Sequence, residues 1–105
     1  MDQKSICSYK EFDSQNDFPS VKTAIGIRNE NSEIILKYLK QFEPVVAVTR
    51  PVTDYISGEK QKESVFGYTD GVYWWTNEEV YHFEKYGLKL NDSFIHHVLK
   101  HSLNL

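Results

Sequence analysis

The chain of 105 residues carries fifteen acidic and twelve basic side chains, a net charge of −3, so its long-range field does not gather a phosphate backbone and nucleic acid is not expected as a partner. Its one cysteine, Cys7, excludes an intrachain disulfide and suits a reducing compartment. No run approaches the ~20 apolar residues of a membrane span and no charged-then-apolar leader is visible, so the expectation is a cytoplasmic protein with no membrane partner.

Residues 1–18 are polar, with Tyr9, Phe12 and Phe18 as isolated anchors, and read as an N-terminal arm; residues 19–105 read as a single domain. Pro19 marks the end of the arm. From Ser20 to Ile27 the pattern SVKTAIGI leaves strand and helical turn undecided, because Gly26 and the small residues blur the periodicity. Asn31 is placed to cap a helix over 31–43, in which Ile34, Ile35, Tyr38, Leu39 and Phe42 form one apolar stripe and Pro44 closes the element. The β-branched run after it predicts a strand over 45–56, with Arg50-Pro51 as a bend or bulge.

The stretch SVFGYTDGVYWWT, Ser64 to Thr76, is the strongest local signal, since two aromatic strand patterns meet across Asp70-Gly71. With Asp70 and Gly71 as the two residues of a type I′ turn, Tyr68 falls opposite Tyr73, Gly67 opposite Trp74 and Phe66 opposite Trp75. One sheet face then carries Phe66, Tyr68, Tyr73 and Trp75; the other carries Val65, Gly67, Thr69, Val72 and Trp74. Thr76-Asn77-Glu78-Glu79 has the form of a capping box and predicts a helix over 77–87, ended by Gly87. Asn91 caps a last helix over 92–103. The fold class is therefore α+β: an antiparallel meander of three strands or slightly more, 45–56, 64–69 and 72–75, with the helices packed mainly on one face.

Signatures of catalysis are sparse. His97 and His101 have the i, i+4 spacing that aligns two imidazoles, and His82 or Glu84 would have to supply further ligands, but there is no HExxH and no paired CxxC motif. The acids Asp54, Glu59, Glu63, Asp70, Glu78 and Glu79 all fall in turns or caps that explain them without chemistry. Serine elbows and phosphate-cradling glycine loops are absent from the sequence. The expectation is a protein that is not an enzyme and holds neither metal nor cofactor.

The elements Thr69-Asp70-Gly71, Tyr73 to Trp75, Glu84-Lys85-Tyr86 with Leu88 and Leu90, and Phe94-Ile95 with His97-Val98 resemble the C-terminal half of a group of small bacterial proteins sharing TDG, an aromatic strand, a helix ending in EKYxLxL and a terminal FIxHV helix. The stretch VVAVTRPVTDYISGEK is similar to the same group's strand and TGE-like turn, with Ser57-Gly58-Glu59 in that place, so the likeness spans roughly residues 19–100. Some members of that group are immunity proteins encoded beside contact-dependent-inhibition or related polymorphic toxins. The resemblance implies a protein, monomeric or weakly dimeric, that neutralises a cognate toxin domain, often a basic nuclease, by blocking its active site or its access to substrate. It supplies no contact residues.

From the physical reading alone, the contacts are assigned to Asp54, Tyr55, Glu59, Glu63, Tyr73 and Trp75, acids steering basic residues of the toxin and rings serving as anchors. Two rival readings remain open: a metal protein or enzyme built on His82, His97 and His101, and an adaptor that dimerises through its sheet edge.

Overall fold

The computed structural model describes residues 4–13, 17–27 and 30–103. In chain order it forms β1 (Lys4–Ser5), a 3₁₀ turn (Val21–Thr23), α1 (Ser32–Lys40), β2 (Val46–Thr53), β3 (Lys60–Thr69), β4 (Tyr73–Thr76), α2 (Asn77–Tyr86) and α3 (Asp92–Leu103). The sheet runs β1-β4-β3-β2, so the expected α+β meander is present as β2-β3-β4. One strand more lies at its edge. Lys4–Ser5 pairs parallel with Tyr73–Trp74, which makes the sheet mixed rather than purely antiparallel. With it come Ile6, Cys7 and Tyr9 into the core, so the described residues of the N-terminal stretch belong to the same packing unit as the rest.

Most local signals have a visible consequence; the exception is Asn31, which precedes α1 as expected but makes no side-chain cap bond to it. The Thr76 hydroxyl accepts from Glu79 N while the Glu79 carboxylate accepts from Thr76 N at 3.0 Å, a complete capping box. Gly87 ends α2 in the left-handed region at φ 70°, which a side chain would disfavour. Ser20 caps the 3₁₀ turn, resolving the ambiguous 20–27 stretch in favour of a single helical turn over Val21–Thr23. The register of β2 on β3 slips on both sides of Pro51, as a residue without an N–H requires.

The hairpin differs from the expected one by two residues. Tyr68 pairs with Trp75 and Thr69 with Trp74, so Gly71 and Val72 form the loop and Asp70 precedes it. Only Gly71 has positive φ, at 101°, the sign pattern of a type II′ turn. The Asp70 carboxylate explains the choice: Oδ1 accepts from Val72 N at 2.9 Å and from Tyr73 N at 2.7 Å, folding the turn around its own side chain. A slip of two residues preserves strand alternation, so the predicted grouping of faces survives.

The face bearing Tyr73 and Trp75 is the covered one. Trp75 is fully buried and Tyr73 is 3% exposed, packed against Tyr38 and Phe42 of the α1 region and Phe94 and His97 of α3. The opposite face stays largely open, with Trp74 41%, Val46 53% and Val48 39% exposed. Among the described residues, no helix is long and apolar enough to cross a membrane.

Candidate partner-binding site

The open face is assembled by register. Val46 lies opposite Gly67, Val48 opposite Val65, and Thr69 opposite Trp74, with Gly67 paired on its other side to Thr76. These side chains share one face of β2-β3-β4. At Gly67 a Cβ would sit 2.5 Å from Val46 Cγ1, so any side chain there would force the valine methyl aside. The glycine therefore brings an exposed valine down onto the sheet and leaves a cleft of about 190 Å³ between Val46, Val48, Val65 and Trp74. Phe12, Arg50, Thr76, Glu78 and Glu79 complete its lining.

The polar end of the cleft is built by the first turn of α2. Glu78 is 1% exposed, and its carboxylate accepts both guanidinium nitrogens of Arg50, at 2.8 and 3.0 Å, in a fork-on-fork pair. It also accepts from Thr53 N at 2.9 Å and from the Tyr55 hydroxyl at 3.3 Å. Glu79 is 5% exposed, and its contacts are to neutral donors, the Cys7 thiol at 3.0 Å and the amide and hydroxyl of Thr76. Burial raises its pKa, the Cys7 and Thr76 bonds oppose that and the nearby Glu78 charge adds to it, leaving the group at about 7. Burial first, and then Glu79 itself, push the Cys7 thiol well up, so it is a hydrogen-bond donor and not a thiolate nucleophile.

The six residues assigned from sequence do not form one surface. Tyr73 and Trp75 lie in the core under α1 and α3, which corrects their assignment as anchors. The physical reason is area: the face with the four larger rings gains most from cover, and the helices took it. Asp54 is fully buried, and its role is architectural. Its carboxylate accepts from the Tyr81 and Tyr86 hydroxyls, each at 2.6 Å, and from the amides of Ile56 and Ser57, tying the β2–β3 turn to α2. Burial opposes its ionisation, but these donors outweigh burial and hold the group well below the usual carboxylate range.

Tyr55 is half-buried, stacked on His82 at 5.5 Å with its hydroxyl on Glu78. Glu59 and Glu63 are exposed as expected. Glu63 borders a separate cleft of about 450 Å³ with Phe42, Tyr68 and Tyr81.

The histidines do not converge. His82 is fully buried, donates from Nδ1 to the Glu78 carbonyl at 2.7 Å and accepts the Tyr55 amide on Nε2 at 3.0 Å, so both ring nitrogens are engaged. His97 instead meets Asp70 at 2.7 Å, where the Tyr38 hydroxyl also donates at 2.5 Å. His101 lies tilted against His97, ring centroids 4.3 Å apart, with its Nδ1 on the His97 carbonyl. Among the described residues, no group of three His, Cys, Asp or Glu side chains is placed to hold a metal ion.

What sequence reasoning missed is Val46, Val48, Trp74, Arg50 and the inward turn of Glu78 and Glu79. A signal for the first three was present. Val46 and Val48 alternate with Ala47 and Thr49, and Trp74 alternates out of phase with the rings at 73 and 75. Comparison with protein-family models, curated proteins and solved structures finds no match.

Proposed function

We propose that this protein is a non-catalytic binding domain of the immunity type, which occludes a cognate bacterial toxin domain in the cytoplasm through the open face of its sheet. One observation supports the binding reading above the others: a contiguous patch of Val46, Val48 and Trp74 is left exposed on a sheet whose other face buries Tyr73 and Trp75 under the helices. An apolar surface of this kind, with an exposed aromatic ring and Arg50 at its border, has the composition of a protein interface. The immunity assignment within that class rests on the sequence resemblance, and the acidic net charge agrees with a basic partner.

The test is co-expression with the C-terminal domain of the secreted protein encoded beside this gene. A soluble complex together with restored growth of the host supports the proposal. A wild-type protein that neither binds that domain nor protects the cell overturns it, and a homodimer by light scattering that buries β2 would favour the adaptor reading, because β2 is the outermost strand with exposed valines.

A further inference from the structure

The cleft on the open face has a charge pattern that the chain does not itself complete. Arg50 and Glu78 satisfy one another in a bidentate pair. Glu79, on the same lining, has only neutral donors, and among the described residues no cation is in ion-pair contact with it. The walls above it are apolar: Val46, Val48 and the Trp74 indole. A long side chain with an aliphatic stem and a cationic head matches both halves, its stem along the valines and the indole face and its head toward the carboxylate.

From this geometry we propose that the cleft is a subsite for one basic side chain, a lysine or arginine, presented by the protein partner. The inference rests on the partner-binding reading above and adds the chemistry of the contact. The cation replaces none of the existing bonds, since the carboxylate retains acceptor capacity beyond Cys7 and Thr76. Its charge favours the ionised form of Glu79, which burial in isolation disfavours, so binding releases a proton near neutral pH and weakens as the solution is acidified. The other titratable groups facing Glu79 are Cys7, Glu78 and, through Glu78, Arg50; since Glu78 and Arg50 neutralise one another, the local sum is one negative charge when Glu79 is ionised.

N-acetyl-arginine amide and N-acetyl-lysine amide are the probes, with N-acetyl-citrulline amide as the neutral isostere of the first, titrated into the intact chain and followed by NMR. The Trp74 indole N–H and the methyl groups of Val46 and Val48 should shift, saturating at ~tenfold lower concentration for the arginine probe than for citrulline, the difference expected of one charge-assisted contact. Glu79→Gln keeps the capping geometry and should abolish that difference while the dispersed amide spectrum persists. Trp74→Ala, on an exposed site, should weaken every probe. Equal saturation by citrulline, or a preference that persists in Glu79→Gln, overturns the inference, as does the absence of any shift at the cleft. If these probes fail while a partner complex still depends on Trp74, this inference falls and the partner-binding reading stands; if the cation binds but no partner does, the partner-binding reading falls and takes with it the assignment of that cation to a partner.

Discussion

At the scale of single residues, the buried carboxylates Glu79 and Asp70 face opposite electrostatic outcomes. Burial dominates at Glu79 and holds its pKa at about 7, whereas at Asp70 burial is outweighed by the Tyr38 hydroxyl, the Tyr73 and Val72 amides and His97, and the pKa falls. A folded-state pKa raised above the unfolded value means that the native state holds the extra proton between about 4.5 and 7, so Glu79 costs stability as pH rises through that window. Glu79→Gln imitates the protonated group. Relative to wild type it should gain about 3 kcal/mol in stability between pH 5 and pH 8. Denaturant melts at the two pH values check this, and a constant difference would show that Glu79 titrates normally. Asp70 has the reverse sign, with its contribution lost as pH falls below the ordinary carboxylate range. Asp70→Ala removes the acceptor for Val72 N, Tyr73 N, the Tyr38 hydroxyl and His97 at once and should cost about 3 kcal/mol. A melt within 1 kcal/mol of wild type, roughly the worth of one ordinary bond, would mean that the turn holds itself without the clasp. Asp70 was legible as a turn residue with local amides in reach of its Oδ1, but the engagement of its Oδ2 was not, because Tyr38 and His97 arrive from helices distant in the chain.

At the scale of elements, the caps, stops and breaks spelled by neighbouring residues formed, while the hairpin register shifted by two residues and β3 began at Lys60, four residues before the expected start. The Thr76 and Glu79 capping box, the Gly87 stop and the Pro51 irregularity each depend on residues within a few positions of one another, and each is present. The polar side chain of Asn77 even continues the ladder beyond β4, accepting from Phe66 N at 2.9 Å and donating to the Ser64 carbonyl at 2.8 Å. β1 was not legible, since two residues pairing with Tyr73 and Trp74 carry no periodic signal of their own. Its consequence is testable by truncation. Ile6 is fully buried, Cys7 donates to Glu79, Tyr9 donates to the Lys89 carbonyl at 2.6 Å, and Asn91 N donates to the Ile6 carbonyl. A chain beginning at Lys10 should lose about 4 kcal/mol from the burial of Ile6 and Tyr9 alone, with further loss from the orphaned Glu79 and Asn91 groups. A dispensable arm would leave the midpoint of unfolding where it was, and that result would remove β1 from the cooperative unit.

At the scale of the molecule, alternation predicts two sheet faces but not which of them the helices cover. Both carry apolar residues, so the outcome depends on the summed area that α1 and α3 bury, and Tyr68, Tyr73 and Trp75 with Phe94 and Tyr38 offer the larger sum. The face left over is the one on which the proposed partner contact is built, and adjacent rings of β4 separate the two roles cleanly. Tyr73→Ala deletes a ring packed at 5.0 Å from Phe94 and 4.9 Å from His97 and should cost about 3 to 4 kcal/mol of stability, partner or not. Trp74→Ala, one residue along the same strand, exposes no core and should change stability by less than about 1 kcal/mol. If the open face grips the partner with Trp74 as its anchor, that same substitution should raise the dissociation constant by ~30-fold or more, chiefly through faster dissociation. Glu59→Gln with Glu63→Gln, on exposed acids outside the cleft, should instead slow association at low ionic strength and lose that effect in high salt. Calorimetric melts of the free variants, followed by association and dissociation rates against the co-expressed partner domain, distinguish these outcomes; a Trp74→Ala protein that binds with unaltered rates would move the contact off this face of the sheet.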